Sequence, residues 1–99
     1  MIDTSTREGA QIVIARVVAV GAFRTLKRIA RDHGVSAVAV VGRKRDARTS
    51  MARHRLWAVM RWTLGLSYQD LGAMFDRDHT SVLHGVRKYE KAIAEQEAA

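Results

Sequence analysis

The feature of this 99-residue sequence that most restricts its fold is the complete absence of proline. Proline interrupts helices, so a chain without it is free to be helical along most of its length. Apolar types make up 47% of the residues, and they recur at the spacing of amphipathic helices. We therefore expect an all-α fold, in which residues 1–99 form one small helical domain.

Glycine and serine predict the ends of the first helices. Residues 6–32 have helical periodicity, either as one helix or as two helices that are separated at Gly21. Ser36 is predicted to cap a short helix over residues 37–41, although the valines of this segment also suit a strand.

A strongly basic stretch follows. Residues 43–61 contain seven Lys or Arg and one acidic residue, in a chain whose formal net charge is +7. The beginning of this stretch is predicted to be a loop, followed by a helix over residues 51–64 with Thr49 or Ser50 as its N-cap. Such a concentration of positive charge indicates a polyanionic partner.

Several classes of function are excluded by what the sequence lacks. Without cysteine there is no disulfide, thiolate metal site or cysteine nucleophile. The phosphate-binding motifs GxxxxGKS/T and GxGxxG are absent, so neither a nucleotide nor another cofactor is expected. No nucleophile–base pair or carboxylate pair has a useful spacing, so we do not expect an enzyme. No apolar run is long enough to cross a membrane and the polar N-terminus is unlike a signal peptide, so a cytoplasmic protein is expected.

Residues 67–94 have the outline of a helix-turn-helix. A capping-box pattern at 67–70 precedes a short helix that ends at Phe75. After a tight turn, Asp78 is placed to cap a longer helix that runs to about residue 94. In a helix-turn-helix the second helix enters the major groove of DNA, and its first turn faces the base edges.

The second helix carries the side chains that this role needs. Its polar residues can exchange hydrogen bonds with base edges, and the predicted major-groove residues are Asp78, His79, Thr80 and His84. Arg87 and Lys88, further along, suit phosphate contacts. The two histidines also suggest a metal site, but they lie about 140° apart on a helix with no third ligand near them. No metal is therefore expected.

Three motifs in this part of the chain resemble one known family and keep its order. RDHTSVLHGVRK, residues 77–88, is similar to the signature of the C-terminal DNA-binding domain of the bacterial chromosomal replication initiator DnaA. LSYQDLGAMF and VVGRKRDARTSMARHRLWAVM, which precede it, also resemble that family. The resemblance covers about residues 24–91 and no AAA+ ATPase module is present. It therefore indicates a free-standing relative of the DNA-binding domain.

The resemblance implies double-stranded DNA binding at DnaA-box-like sites, and it adds contact residues. Arginines at the start of the signature and near a helix start match positions that meet the DNA backbone, and one arginine of the basic loop matches a residue that enters the minor groove. The predicted phosphate-contacting residues are Arg53, Arg77, Ser81, Arg87 and Lys88, and the predicted basic loop at the minor groove consists of Arg43, Lys44 and Arg45.

Two departures from the family pattern bear on the DNA target. Gln69 stands where the family usually has a proline near a thymine, which is expected to alter the preference at that base. The turn from Phe75 to Arg77 is one residue shorter than usual, with Asp76 in place of glycine. This shorter turn is expected to tilt the recognition helix.

We expect sequence-specific DNA binding that regulates replication initiation or transcription. The alternative is a protein-interaction module of the replication or transcription machinery that binds DNA only weakly. This alternative depends on the additional N-terminal helix within residues 1–23, which lies outside the resemblance. One face of that helix either packs on the domain or pairs with a second copy or another protein, and its residues are Ile12, Ala15, Val18 and Ala19.

The remaining aromatic and histidine side chains are predicted to be mostly structural. Trp57 and Trp62 lie about 140° apart on their helix, so one is expected in the core and the other on a surface that a partner can use. Tyr89 is expected in the core. His33 and His54 are expected on the surface without an assigned role.

Overall fold

Six helices account for most of the computed structural model, which describes residues 2–98. Within these residues there is no strand, and the all-α prediction is confirmed. The helices are α1 (Arg7–Ala19), α2 (Phe23–His33), α3 (Ala37–Val41), α4 (Ala47–Leu64), α5 (Tyr68–Phe75) and α6 (His79–Ala98).

Local sequence signals explain most of the helix ends. Gly21 has a φ of 80°, in the left-handed region that favours glycine, and it separates α1 from α2. Ser36 Oγ accepts a hydrogen bond from the Ala39 amide at 3.1 Å, which caps α3 as predicted and confirms a helix rather than a strand there. Gly34 and Gly65 end α2 and α4 in the left-handed conformation.

The start of α4 differs from the prediction. The helix begins at Ala47 rather than near residue 51, because the N-cap is Asp46 and not Thr49 or Ser50. Asp46 Oδ2 accepts a hydrogen bond from the Thr49 amide at 3.1 Å, so the first turn forms inside the basic stretch. The end of α6 also differs, because this helix continues to Ala98 instead of ending near residue 94.

The core is built around α4, which packs against α2, α3 and α6. Trp57 is 2% exposed, and its ring meets that of Phe75 edge-on at a centroid distance of 5.9 Å. The second tryptophan, Trp62, is 52% exposed, so the predicted division between a core and a surface tryptophan is confirmed. One hydrophobic core includes side chains from all six helices.

Helix α1 covers one side of this core. Val13 and Val17 are buried, and α1 contacts α3 and α5. The opposite face, with Ile12 and Val18, is exposed. The face singled out in the sequence is therefore the outer one. No helix among residues 2–98 combines the length and the apolar character that crossing a membrane requires.

Candidate nucleic-acid interface

The end of α5 and the start of α6 lie very close to each other. Ser67 and Asp70 form the predicted capping box at the start of α5, and Asp76 ends this helix with a φ of 54°. The Arg77 amide then donates to the Gly72 carbonyl at 2.8 Å. A β-carbon at Gly72 would lie 2.7 Å from the Arg77 carbonyl oxygen, so only glycine allows the two helices to approach this closely.

The first turn of α6 presents its polar side chains to solvent. Asp78 Oδ1 accepts a hydrogen bond from the Thr80 amide at 2.7 Å, as predicted for a capping residue. Hydrogen bonds from Thr80 hold the pKa of Asp78 below its ordinary value, so this carboxylate is an acceptor at neutral pH. The four predicted major-groove residues, Asp78, His79, Thr80 and His84, are all exposed.

Two arginines join the basic loop to the helix-turn-helix in a reciprocal manner. Arg43, in the loop, donates from Nη2 to the carbonyl oxygen of Asp76 at 3.2 Å. Arg77, in the turn, donates from Nη2 to the carbonyl oxygen of Gly42. The guanidinium of Arg77 also lies over the ring of Trp57, 5.9 Å from its centroid. The loop is therefore fixed beside the beginning of α6.

Arg53 is not on the surface where a phosphate contact was predicted. The residue is 4% exposed. Its guanidinium donates to three carbonyl oxygens, those of Val40 at 2.8 Å, Ala39 at 3.1 Å and Lys44 at 2.9 Å. Burial lowers the pKa of Arg53 to about 10, so it stays charged at neutral pH. These contacts argue against the predicted phosphate contact and show that Arg53 ties α4 to the end of α3 and to the basic loop.

The other predicted phosphate and loop residues are mostly exposed. Lys44 and Arg45 extend from the loop, and Lys44 Nζ lies 3.8 Å from Asp46 Oδ1. Ser81, Arg87 and Lys88 are exposed on α6, whereas Arg77 is half-buried by its structural contacts. The structure thus brings the loop and the first turn of α6 together, and it leaves Arg87 and Lys88 further along the helix.

The prediction that His54 is a surface residue is wrong. Its side chain is half-buried and its ring packs against Trp57 at a centroid distance of 5.7 Å. Helix α6 comes close at this point, since a β-carbon at Gly85 would lie 2.6 Å from His54 Cδ2. Burial lowers the pKa of His54 to about 4, so the ring is neutral at pH 7. The glycine in the middle of an amphipathic helix is the sequence signal that could have predicted this close approach.

Comparison with known proteins identifies the family of this fold. The family described as "Bacterial dnaA protein helix-turn-helix" matches residues 24–88, about two thirds of the chain. The chain belongs to this DnaA helix-turn-helix family. Its members are DNA-binding domains rather than catalytic ones, so membership supports binding to double-stranded DNA. Every predicted contact residue from Arg43 to Lys88 lies inside the match, whereas α1 lies outside it.

Similar curated proteins are DnaA initiators that are much longer than this chain. Chromosomal replication initiator protein DnaA 1 of Chlamydia pneumoniae is 30% identical over 73 residues, which are 74% of this chain and 16% of that protein. Chromosomal replication initiator protein DnaA 2 of Chlamydia caviae is 29% identical over 70 residues, 71% of this chain and 15% of that protein. The chain thus spans about one sixth of the length of these relatives. No solved structure matches.

Proposed function

We propose that this member of the DnaA helix-turn-helix family binds duplex DNA at DnaA-box-like sequences. One observation carries the proposal: the reciprocal bonds of Arg43 and Arg77 hold the basic loop beside the first turn of α6. A single surface can therefore place the exposed side chains of α6 in the major groove and the loop in a neighbouring minor groove.

The two parts of this surface would contribute differently to binding. Asp78, His79, Thr80 and His84 have donors and acceptors for base edges, and they would supply sequence preference. Arg45, Arg87, Lys88 and the other exposed basic residues would neutralise phosphates and supply affinity that depends on salt. Arg53 is left out of the contact set because it is buried and its Nε and Nη2 already donate to carbonyl oxygens inside the protein.

The direct test is fluorescence-anisotropy binding to two labelled duplexes at about 150 mM salt, where phosphate contacts alone give only weak, non-specific binding. One duplex carries a DnaA box and the other a scrambled box of equal composition. We expect a preference of about a hundredfold or more for the box. Equal and weak binding to both would contradict the proposed target. The shortened turn and Gln69 would then call for site selection from random DNA.

Two substitutions on α6 separate base contacts from phosphate contacts. His84→Ala is expected to cost about 1–3 kcal/mol of discrimination between the two duplexes. Lys88→Ala is expected to weaken both duplexes alike and to make the salt slope shallower by about one. Gln96→Ala, at an exposed position near the end of the same helix, is the control. If His84→Ala weakened both duplexes equally, its assignment to base contacts would be wrong.

Occupation of such sites would regulate replication initiation or transcription. A chain that binds a DnaA box through this surface would compete with a DnaA initiator for the same DNA. This regulatory role would use the same DNA-binding surface and would need no additional contact with another protein. The test is whether the chain displaces a DnaA initiator from a box in a competition assay, and whether His84→Ala prevents the displacement.

One observation favours a second candidate function, a protein-interaction module. The outer face of α1 exposes Ile12 to 43% and Val18 to 50%, although apolar side chains of this size are more often buried. A second copy of the chain or another protein would cover this face. Such a module would bind DNA only weakly near physiological salt, and a double substitution of Ile12 and Val18 by Glu would abolish its self-association in analytical ultracentrifugation.

A further inference from the structure

A second basic surface lies on α2, apart from the helix-turn-helix. Four exposed side chains share one face of this helix at the i, i+3, i+4, i+7 spacing, and we call them the α2 stripe: Arg24, Lys27, Arg28 and Arg31. The opposite face of α2, with Leu26 and Ile29, is buried in the core. The α2 stripe extends along about 10 Å of the helix axis.

The charges of the α2 stripe are not compensated inside the protein. Among residues 2–98, none of its four side chains forms an ion pair. Asp32, the acidic residue of α2, is paired instead with Arg55, whose Nη1 lies 3.2 Å from Asp32 Oδ2. Like charges three and four residues apart repel each other. A bound anion would relieve this repulsion.

The C-terminal end of α2 lies close to the first turn of α4. Helix α2 ends at Gly34, which has a φ of 67°. Arg48 Nη1 lies 3.7 Å from the place that a β-carbon of Gly34 would occupy. Arg48 belongs to the first turn of α4, which directly follows the loop of Arg43, Lys44 and Arg45. The end of α2 therefore lies next to a basic side chain of the helical turn that follows the basic loop.

The composition of the α2 stripe fits a phosphodiester backbone better than a protein surface. The centres of protein interfaces are rich in aromatic and other apolar side chains and hold few charges. The α2 stripe itself contains no apolar side chain, and the exposed ring of Phe23 beside it has Lys27 Nζ 5.0 Å from its centroid. Interfaces with DNA are polar and strongly positive.

We propose that the α2 stripe binds the phosphodiester backbone of DNA outside the segment that the helix-turn-helix occupies. This inference rests on the proposed function. The backbone comes from the flanking part of the same duplex or from a second duplex. Each phosphate that is neutralised adds about 0.9 to the slope of log affinity against log salt. The α2 stripe therefore increases both the affinity and the salt dependence of binding when such DNA is present.

The test compares wild type with R24Q/R28Q on two duplexes that carry the same box. A duplex of about 12 base pairs is little longer than one helical turn, whereas one of about 40 base pairs adds flanking DNA. On the long duplex we expect the variant to bind about tenfold more weakly at about 150 mM salt, with a salt slope shallower by almost two. On the short duplex we expect no change.

A charge-matched control separates a local contact from the net charge. Q11E/A94E also lowers the net charge by two, at exposed positions that belong to none of the proposed binding surfaces. An equal loss of affinity with this control would overturn the inference. The short duplex reports on the helix-turn-helix. If wild type failed to prefer the box there, the proposed function would be wrong, while the comparison on the long duplex would still report on the α2 stripe.

A second assay identifies the source of the backbone. An immobilised long duplex is saturated with protein and then offered a labelled second duplex. Capture by wild type but not by R24Q/R28Q would assign the α2 stripe to a second duplex, and a loss of affinity confined to the long duplex would assign it to flanking DNA. No difference from wild type in either assay would overturn the inference and leave an acidic protein as the partner of the α2 stripe.

Discussion

Arg53 shows how the environment of one residue decides what its charge can do. Its Nε and Nη2 donate to the carbonyl oxygens of Ala39, Val40 and Lys44, and the residue is buried, so little of the guanidinium is accessible to DNA. Arg53→Met would leave these buried oxygens without their donor, and we expect it to lower the free energy of unfolding by about 2–4 kcal/mol in urea denaturation.

An exposed arginine provides the comparison for Arg53. Arg45→Gln should leave the urea midpoint unchanged and make the salt slope of DNA binding shallower by about one. Arg53→Met could instead keep full stability and make the salt slope shallower. That result would support the phosphate contact that was predicted for Arg53.

His54 makes stability depend on pH. Its pKa is about 4 in the folded protein against an ordinary 6.5, because burial disfavours the charged ring. As the pH falls below 6.5, the unfolded chain takes up this proton first, so stability is lost between pH 6.5 and 4. We expect the urea midpoint to fall from pH 7 to pH 5 in wild type, and to fall less in His54→Leu.

Other titrating groups can be separated from His54 by the choice of pH. Burial also lowers the pKa of His33, which contributes to the fall in the same direction. Asp46, Asp70 and Asp78 have lowered pKa values as well, but their contributions are lost only below about pH 4. The exposed His79→Gln serves as the control, and an equal pH dependence in wild type and His54→Leu would rule out the buried ring as the cause.

At the scale of helices, short-range signals were sufficient for most boundaries. Ser36 and Ser67 cap the helices that they were predicted to cap, because a capping hydrogen bond spans only three residues. The start of α4 was mispredicted for a local reason. Asp46, Thr49 and Ser50 are all good capping residues, and periodicity does not decide between them.

The contacts that arrange the candidate site could not be predicted in this way. Arg77 bonds to Gly42, 35 positions away, and Arg53 bonds to Val40 in a different helix. Motif resemblance indicated where the contact residues stand in the sequence. It did not indicate that some of the arginines hold the loop in place, because burial depends on packing between helices that are distant along the chain.

Gly72 lets the end of α5 and the start of α6 approach each other closely. A β-carbon there would meet the backbone of Arg77 at 2.7 Å and that of His79 at 3.2 Å, and backbone cannot move as a side-chain tip can. Gly72→Ala should therefore lower the free energy of unfolding by about 2–3 kcal/mol and reduce the preference for the DnaA box, as measured by urea denaturation and anisotropy.

Gly65→Ala is the control. The added β-carbon would have no atom within 4 Å, and the strain comes only from the φ of 67°. This substitution should lower the free energy of unfolding by about 1 kcal/mol and leave the preference for the box intact. Similar effects of the two substitutions would contradict this role of Gly72.

At the scale of the whole molecule, the region outside the family match supports the region inside it. Helix α1 buries Val13 and Val17 against the core, and the Arg16 guanidinium donates to the carbonyl oxygens of Ala73 and Met74 near the end of α5. The segment before α1 reaches the basic loop itself, where Thr4 is 1% exposed. The N-terminal part of the chain is therefore a structural part of the candidate DNA surface.

Thr4 provides the most direct test of this support. Its Oγ1 accepts a hydrogen bond from Arg43 Nε at 2.9 Å, so it holds the arginine that also bonds to the turn before α6. Thr4→Val keeps the shape but removes the acceptor. We expect a loss of about 1 kcal/mol in stability, and about threefold weaker binding to box DNA because the loop must then be ordered on binding. The salt slope should not change, since no charge is removed.

Thr4→Ser is the control, because it keeps the hydroxyl and should bind DNA as wild type does. If Thr4→Val also bound with wild-type affinity, the N-terminal segment would support only the core.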